Sequence, residues 1–135
     1  MATVSIDHIA MPTGNAEKLI EFYKRIGFTI NDEEEWRAGK ARIFSIQIGD
    51  SKINVHPEGF TADLRGPTAV PGCADICFVW DGTADECKKM LEDAKVEIIR
   101  GPGPRRGARA GGGLPAVSLY ARDPDQNLLE WMIYV

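Results

Sequence analysis

The order of predicted secondary structure occurs twice along this chain of 135 residues. In the first half, β-branched or alternating segments predict strands at 4–11, 28–30, 42–48 and 52–56, with an amphipathic helix that ends near Gly27. In the second half, the same patterns predict strands at 74–80, 96–99, 115–121 and 128–135, with a helix over 83–95. Both halves follow the order β-α-β-β-β, so we predict an α+β protein built from two βαβββ modules.

A segment without periodicity separates the two modules. Residues 57–72 contain several Gly and Pro residues and no regular apolar spacing, which is typical of a linker. We therefore expect one domain, with module 1 at about 3–56 and module 2 at about 73–135. A chain of this length suits one compact domain or two small modules that share a core.

Aligning the modules places polar side chains at matching positions. Asp-His-Ile-Ala in the first predicted strand aligns with Ala-Asp-Ile-Cys in the fifth, which sets His8 opposite Asp75. Ile-Asn-Val in the fourth strand aligns with Leu-Glu-Trp in the last, which sets Asn54 opposite Glu130. The glycine-rich loop 101–113 has no counterpart in module 1 and absorbs the extra length of module 2. Duplicated modules of this kind usually build one site from equivalent positions.

Several of these polar residues lie in apolar strands. Glu130 interrupts the apolar run at the end of the chain, and a buried carboxylate is costly unless a metal ion, an arginine or solvent accompanies it. His8 is either a ligand or a hydrogen-bonded core imidazole. His56 shares a strand face with Asn54 because strand side chains alternate, although it could instead lie in solvent at the strand end. Asp75 could also cap a turn.

Composition and charge exclude several classes of protein. A formal net charge of -4 gives no basic surface for nucleic acid. There is no stretch of about 18 apolar residues and no basic and apolar leader at the N-terminus, so we expect a cytoplasmic protein without a membrane partner. Cys73, Cys77 and Cys87 do not have CxxC spacing, and we expect small, buried, reduced thiols.

Four segments together resemble the vicinal oxygen chelate superfamily of glyoxalases, bleomycin resistance proteins and extradiol dioxygenases. They are Asp-His-Ile-Ala at residue 7, Lys-Ile-Asn-Val-His-Pro-Glu-Gly at residue 52, Pro-Gly-Cys-Ala-Asp-Ile-Cys at residue 71, and Arg-Asp-Pro-Asp-Gln-Asn-Leu-Leu-Glu at residue 122. The resemblance covers nearly the whole chain. It is strongest to small glyoxalase domain-containing proteins and their bacterial virulence-associated relatives. It implies paired modules that form a cupped sheet around a divalent metal.

The resemblance also implies a metal site. His8 and Glu130 match two ligand positions, and His56 is the third predicted ligand, or an acid–base group beside the ion. Asp75 stands where many members carry a second His, and Asn54 where several carry Glu or Gln. We expect Asp75 to be a fourth ligand or a catalytic base. The implied ion is Fe(II), Mn(II), Ni(II) or Zn(II), with open positions for two substrate oxygens.

The implied activity acts on a small molecule with adjacent oxygens. Tyr120 stands where similar extradiol dioxygenases carry a tyrosine that contacts the substrate, and Asn54 and Arg122 are predicted substrate contacts. The reaction is expected to be ring cleavage by a dioxygenase or a glyoxalase-type lyase or isomerase reaction, in a homodimer. The alternative is a non-catalytic protein that binds an antibiotic or metabolite, as bleomycin resistance proteins do.

The loop at 101–113 is rich in glycine and arginine. Its arginines, with Arg100 before it, suit a mobile lid that recognises an anionic substrate group. The alternative is a disordered loop in solvent. The segment lacks both the GxGxxG pattern between a strand and a helix and a Walker lysine, which argues against a nucleotide-binding loop.

Overall fold

A computed structural model gives the structure of residues 2–135, in two compact units that meet in sequence at Cys73 and Ala74. Among these residues, no helix has the length and apolar character needed to cross a membrane. Each unit contains one four-stranded sheet. The fold is therefore α+β with two βαβββ modules, as predicted from the sequence.

In the first unit, the first and last strands lie side by side in the sheet. Its elements are β1 (His8–Pro12), α1 (Ala16–Arg25), β2 (Thr29–Asn31), α2 (Glu33–Arg37), β3 (Phe44–Ile48) and β4 (Ser51–His56). The strand order is β1-β4-β3-β2, with β1 parallel to β4 and the other neighbours antiparallel. Leu19, Ile20 and Tyr23 of α1 are buried, so this helix contributes its apolar face to the core.

Capping explains where α1 starts. The Asn15 side chain accepts a hydrogen bond from the Lys18 backbone N–H at 3.1 Å. The Glu58 carboxylate accepts another from the Ala16 N–H at 3.1 Å. A carboxylate is favourable at this end because the unpaired N–H groups of a helix start carry partial positive charge. Glu58 therefore ties the residues after β4 to the helix within the first unit.

One prediction for the first unit is wrong in detail. The first strand was expected to start at Val4, but Val4 is 99% exposed and β1 begins at His8, where pairing with β4 begins. The acidic segment after β2 forms the short helix α2, which has no predicted counterpart. Trp36 in this helix packs on Phe44 with ring centroids 5.1 Å apart, so it covers an apolar side chain.

The second unit repeats the arrangement of the first. Its elements are β5 (Asp75–Val79), α3 (Ala84–Asp93), β6 (Arg100–Arg105), a 3-10 turn (Arg109–Gly112), β7 (Ala116–Arg122) and β8 (Leu128–Tyr134). The strand order is β5-β8-β7-β6, again with the first and last strands parallel. Thr83 and Glu86 form a capping box at the start of α3, where the predicted helix begins.

One strand of the second unit is displaced from its predicted place. The predicted strand at 96–99 is wrong, and β6 lies instead within the segment expected to be a loop. Val96 is buried, and the Ile99 N–H donates to the Tyr120 carbonyl at 2.9 Å before the strand proper begins. β6 is an edge strand, so it pairs with a neighbouring strand on one side only. Pro102 and Pro104 are tolerated because their missing N–H donors take no hydrogen bonds from a second neighbouring strand.

The register of the two sheets confirms the alignment of the modules. His8 pairs across β1 and β4 with the residue two positions before Asn54. Asp75 pairs across β5 and β8 with the residue two positions before Glu130. The two polar pairs therefore occupy equivalent places in the two sheets.

A buried turn joins β7 to β8 and fixes the start of β5. The Asp123 carboxylate accepts hydrogen bonds from the backbone N–H groups of Asp125 and Asn127 at 2.9 and 3.0 Å, and from the Asn127 side chain at 2.8 Å. The Asn127 side-chain oxygen accepts from the Ala74 N–H at 2.9 Å. Leu128 and Ala74 are joined by a backbone hydrogen bond. These contacts fix the first residues of β5 and β8 against each other.

The three cysteines are free thiols, as expected. Cys87 is fully buried in the core, but Cys73 and Cys77 are exposed. The expectation of buried thiols is therefore correct for Cys87 and wrong for the other two. Cys77 is exposed because it lies on the sheet face opposite Phe78, which is buried.

Candidate functional site

Polar side chains gather on one face of the sheet in the second unit. Leu119, Leu129 and Trp131 are buried, whereas Tyr120 and Glu130 alternate with them and are half-buried. Tyr120 pairs with Glu130 across β7 and β8, and Cys77 pairs with Glu130 across β5 and β8. Because directly paired residues share a face, these side chains lie next to one another.

A cavity of about 380 Å³ opens on this face. Its lining includes four residues predicted from the sequence as site residues, together with two arginines and two apolar side chains. The lining residues are Asp75, Ile99, Arg100, Arg105, Tyr120, Arg122, Leu128 and Glu130. A second cavity of about 440 Å³ shares Arg105, Tyr120 and Glu130 with it and continues toward Tyr134. The two cavities form one groove, large enough for a small organic molecule.

Glu130 has a partner that the sequence did not suggest. The Ser118 hydroxyl, which is buried, donates to Glu130 Oε2 at 2.6 Å. Although Cys77 is exposed as a residue, desolvation of its sulfur against the sheet, followed by the charges of Glu130 and Asp75, raises the pKa of the thiol to about 12. Cys77 therefore stays protonated near neutral pH, and it is no thiolate nucleophile. The carboxylate itself is oriented by a hydroxyl, with no arginine within ion-pair distance among residues 2–135.

Tyr120 is held by Arg105. The Arg105 Nε donates to the Tyr120 hydroxyl oxygen at 2.8 Å, and the guanidinium lies 5.3 Å from the ring centroid. Since the phenol oxygen accepts this bond, its own O–H can donate to a bound molecule. Tyr120 is thus an oriented hydrogen-bond donor inside the cavity.

In the first unit, His8 and Asn54 lie on the face equivalent to that of Asp75 and Glu130. His8 Nδ1 lies 2.7 Å from Asp7 Oδ1. A carboxylate on one ring nitrogen favours the tautomer whose other nitrogen, Nε2, can bind a cation or a substrate. Asn54 Oδ1 is buried and has no hydrogen-bond partner. Such an oxygen is stabilised by a donor or a cation.

His56 lies at the other end of β4 from His8. It pairs with Pro12, whereas His8 pairs with Lys52. The two histidines are four residues apart along the parallel strands and one strand spacing apart across them. Their Cα atoms are therefore separated by roughly 14 Å. Two nitrogens that bind one ion lie within about 4 Å of each other. The register therefore argues against His8 and His56 as ligands of one ion in this unit.

The surroundings of His56 are also different. Its ring meets the edge of Phe60 at 5.3 Å, beside a small cavity of about 130 Å³. Its neighbours there come from β1 and from the segment after β4, including Met11 and Leu64. The structure thus brings Asp75, Tyr120 and Glu130 together in one unit and leaves His56 in a separate, mainly apolar place.

The donor types fit a divalent ion. Fe(II), Mn(II), Ni(II) and Zn(II) accept an imidazole nitrogen and an amide oxygen, which His8 and Asn54 offer in the first unit, and carboxylates, which Asp75 and Glu130 offer in the second. Within residues 2–135, however, no three side chains of His, Cys, Asp or Glu converge on a point suited to a metal. The fit therefore rests on the type of donor and on its strand position.

Sequence reasoning missed Ser118 and the role of Arg105. Ser118 lies two residues before Tyr120 on the same strand, so the alternation of side chains could have placed it on the cavity face. Arg105 could not be placed in this way, because the pairing of β6 with β7 shifts between Arg100 and Gly103. A register shift of this kind leaves no simple sequence pattern.

Comparison with known proteins identifies relatives that match almost the full chain. Residues 5–131 match the sequence model of the Glyoxalase/Bleomycin resistance protein/Dioxygenase superfamily. Virulence protein STM3117 of Salmonella typhimurium is 32% identical over 131 residues, covering 96% of this chain and 84% of that protein. Glyoxalase domain-containing protein RDO1 of Mycosarcoma maydis is 31% identical over 130 residues, covering 96% of this chain and 68% of its own length.

Solved structures agree with these relationships. The integron cassette protein VCH_CASS1 from V. cholerae has a TM-score of 0.85 at 29% identity, covering 100% of this chain and 98% of that chain.

Proposed function

Because the chain belongs to the Glyoxalase/Bleomycin resistance protein/Dioxygenase superfamily, we propose that it is a divalent-metal-dependent enzyme acting on a small molecule with two adjacent oxygens. The observation that supports this proposal most is the meeting of Asp75, Tyr120 and Glu130 around one cavity. Two carboxylates and an oriented phenol are suited to moving protons on a substrate held in place.

The family resemblance gives Glu130 and His8 as the proposed ligands, and the partnerless Asn54 oxygen of the first unit is a further donor of a type that such an ion accepts. A bound divalent ion would supply Lewis acidity to two substrate oxygens and lower the pKa of a substrate hydroxyl. We omit His56 from this ligand set because of its distance along the strand from His8. It remains a predicted acid–base group for a different part of the substrate.

The residues around the cavity then have separate tasks. Ser118 orients the Glu130 carboxylate through its 2.6 Å hydrogen bond. Tyr120 donates its hydroxyl proton in a hydrogen bond to a substrate oxygen, while Arg105 fixes the ring. Asp75, which is exposed on β5, accepts a proton from the substrate or serves as a further ligand. Arg122, which lies across Leu128 from Asp75, contacts the substrate.

Two reactions fit this set of residues. Ring cleavage of a catechol consumes O₂ and needs Fe(II) or Mn(II). A glyoxalase-type lyase or isomerase reaction proceeds without O₂ and suits Ni(II) or Zn(II). Metal identity and O₂ consumption therefore separate the two reactions.

The test is metal uptake by untagged protein, measured as metal content and as the rise in melting temperature on adding each ion. We expect near-stoichiometric metal, lost in Glu130→Gln and in His8→Ala. His56→Ala should keep it, and Glu97→Gln, at an exposed carboxylate elsewhere in the second unit, is the matched control. Absence of metal binding in the unaltered protein would refute the enzyme proposal and favour a metal-free protein that binds an antibiotic or metabolite.

The family resemblance extends the proposal to a homodimer in the cytoplasm. Three free thiols are compatible with a reducing compartment. Sedimentation of the purified protein tests the dimer, and a monomer at all concentrations would contradict it.

A further inference from the structure

Five arginines of the second unit have no acidic partner. Within residues 2–135, no carboxylate oxygen lies within 4 Å of their side-chain nitrogens, although Arg25 and Arg37 of the first unit both form ion pairs. The five are Arg100, Arg105, Arg106, Arg109 and Arg122, and all of them lie on the groove described above. In a chain with a net charge of -4, so many unpaired cations on one groove form a local positive region.

Neutral acceptors hold two of the three guanidinium groups that line the first cavity, those of Arg105 and Arg122. Arg105 donates to the Tyr120 hydroxyl and to the Pro104 carbonyl, both at 2.8 Å. Arg122 donates to the Gln126 carbonyl at 3.0 Å. These bonds orient the two groups without neutralising their charge, and a guanidinium has five N–H donors, so several remain for a ligand. Ordering them in advance lowers the entropy lost on binding an anion.

The segment that carries Arg105, Arg106 and Arg109 is packed on the sheet. Arg109 lies over the Tyr134 ring at 4.5 Å from its centroid, and its backbone N–H donates to the Tyr134 hydroxyl at 3.3 Å. At Gly107, an added Cβ would lie 2.2 Å from the Tyr134 hydroxyl oxygen. A larger residue here would require the Tyr134 and Met132 side chains to shift, so the segment that carries the arginines fits closely against the sheet.

Charge is divided across the sheet by strand order. With the order β5-β8-β7-β6, Asp75 and Glu130 occupy the two strands on one side, and Arg122 and the β6 arginines occupy the two on the other. Leu128 pairs with both Asp75 and Arg122, so an apolar side chain separates the two charged ends. A ligand across the cavity would meet carboxylates at one end and cations at the other.

We propose that Arg100, Arg105 and Arg122 bind the carboxylate of a small organic acid, whose uncharged oxygens lie toward Asp75 and Glu130. This proposal rests on the proposed function, and it specifies that the substrate of that function is an anion. The planar guanidinium fork matches a carboxylate through paired hydrogen bonds. Ile99 and Leu128 provide apolar walls for a carbon skeleton, and the repulsion between Glu130 and the carboxylate sets the orientation.

Benzoate is the probe, titrated into metal-free protein in chelator at low salt and followed by amide NMR shifts. We expect saturable binding, with shifts in β6 and β7, and at least tenfold weaker binding in Arg105→Gln and Arg122→Gln. Arg42→Gln, an exposed arginine of the first unit without an ion pair, is the matched control and should bind normally. Benzamide has the same ring without the charge and should not bind.

Further variants separate the arginines from the general fold. Gly107→Ala should weaken benzoate binding because its Cβ disturbs the contact of the segment with Tyr134, whereas Gly103→Ala has open space and should not. Arg122→Gln removes an exposed side chain that has one backbone contact, so the variant protein should stay folded. It therefore tests the proposal even if the Arg105→Gln protein does not fold.

Each contrary result has a definite meaning. Equal binding of benzamide, or unchanged binding in Arg122→Gln, overturns the proposal. If inorganic phosphate binds tenfold more tightly than benzoate and is weakened by the same arginine substitutions, the assignment to a carboxylate is overturned. The titration contains no metal, so it can succeed even if the protein does not take up metal. In that case the missing metal uptake refutes the enzyme proposal, and the benzoate binding leaves this inference standing.

Discussion

Removing the buried carboxylate of Asp123 tests how the second unit holds its site. Asp123 is 2% exposed, and its carboxylate accepts hydrogen bonds from the Asp125 backbone N–H and from both the backbone and the side chain of Asn127. Asn127 in turn accepts from the Ala74 N–H at 2.9 Å, one residue before Asp75. Asp123→Ala therefore removes the contacts that fix the starts of β5 and β8, and with them the spacing of Asp75 and Glu130.

The size of the effect follows from the donors left without a partner. A hydrogen bond to a charged group contributes about 1.5–3 kcal/mol. The Asn127 donors are buried, whereas the N–H of Asp125, which is half-buried, can regain a bond from water. Two lost bonds give a destabilisation of about 3–6 kcal/mol, a large part of the roughly 5–15 kcal/mol that a domain has in total. Asp123→Asn keeps one acceptor and should lose roughly half as much.

Urea denaturation measures this change as a shift in midpoint at constant slope. Asp63→Ala, at an exposed carboxylate in the first unit, is the control and should change stability by less than about 0.5 kcal/mol. A loss below about 1 kcal/mol in Asp123→Ala would refute the reasoning, because it would mean that water replaces the carboxylate at buried donors.

Two further predictions concern α3. Thr83→Ala breaks the capping box with Glu86, whose two bonds are 3.0 and 3.1 Å long, and should lower the free energy of unfolding by about 1 kcal/mol in urea. Burial raises the pKa of the Cys87 thiol to about 11 in the folded chain, above about 8.5 in the unfolded chain. The unfolded chain therefore releases this proton first, and stability should fall as pH rises from about 8.5 to about 11. Cys87→Ala should remove that part of the pH dependence, and an unchanged slope would contradict the assignment.

The repeated fold was predictable because its signals are local and occur twice. Apolar periodicity marks α1 and α3, and the aligned segments around His8 and Asp75 carry the same strand pattern. The equivalence of Asn54 and Glu130 followed from alignment alone and agrees with the register. Strand β6 was missed because Gly and Pro normally break strands, whereas pairing on one side only tolerates both.

The candidate site was predictable only as a set of side chains on a face. Glu130 was found because it is a charge inside an apolar strand and aligns with Asn54, and Tyr120 was found through the family resemblance. The partners of these residues across the sheet could not be predicted. The Ser118 bond to Glu130 depends on how β7 pairs with β8, and the position of Arg105 depends on the register shift in β6. The separation of His8 and His56 likewise follows from parallel pairing, which the sequence does not specify.

The prolines of β6 have a consequence for association of the folded chain. An exposed strand edge with free N–H and C=O groups is a template on which other chains add strands and aggregate. Pro102 and Pro104 have no N–H to offer, and Arg100 and Arg105 put positive charge at both ends of the same strand. The groove can therefore stay open to solvent beside a sheet edge that is protected from aggregation.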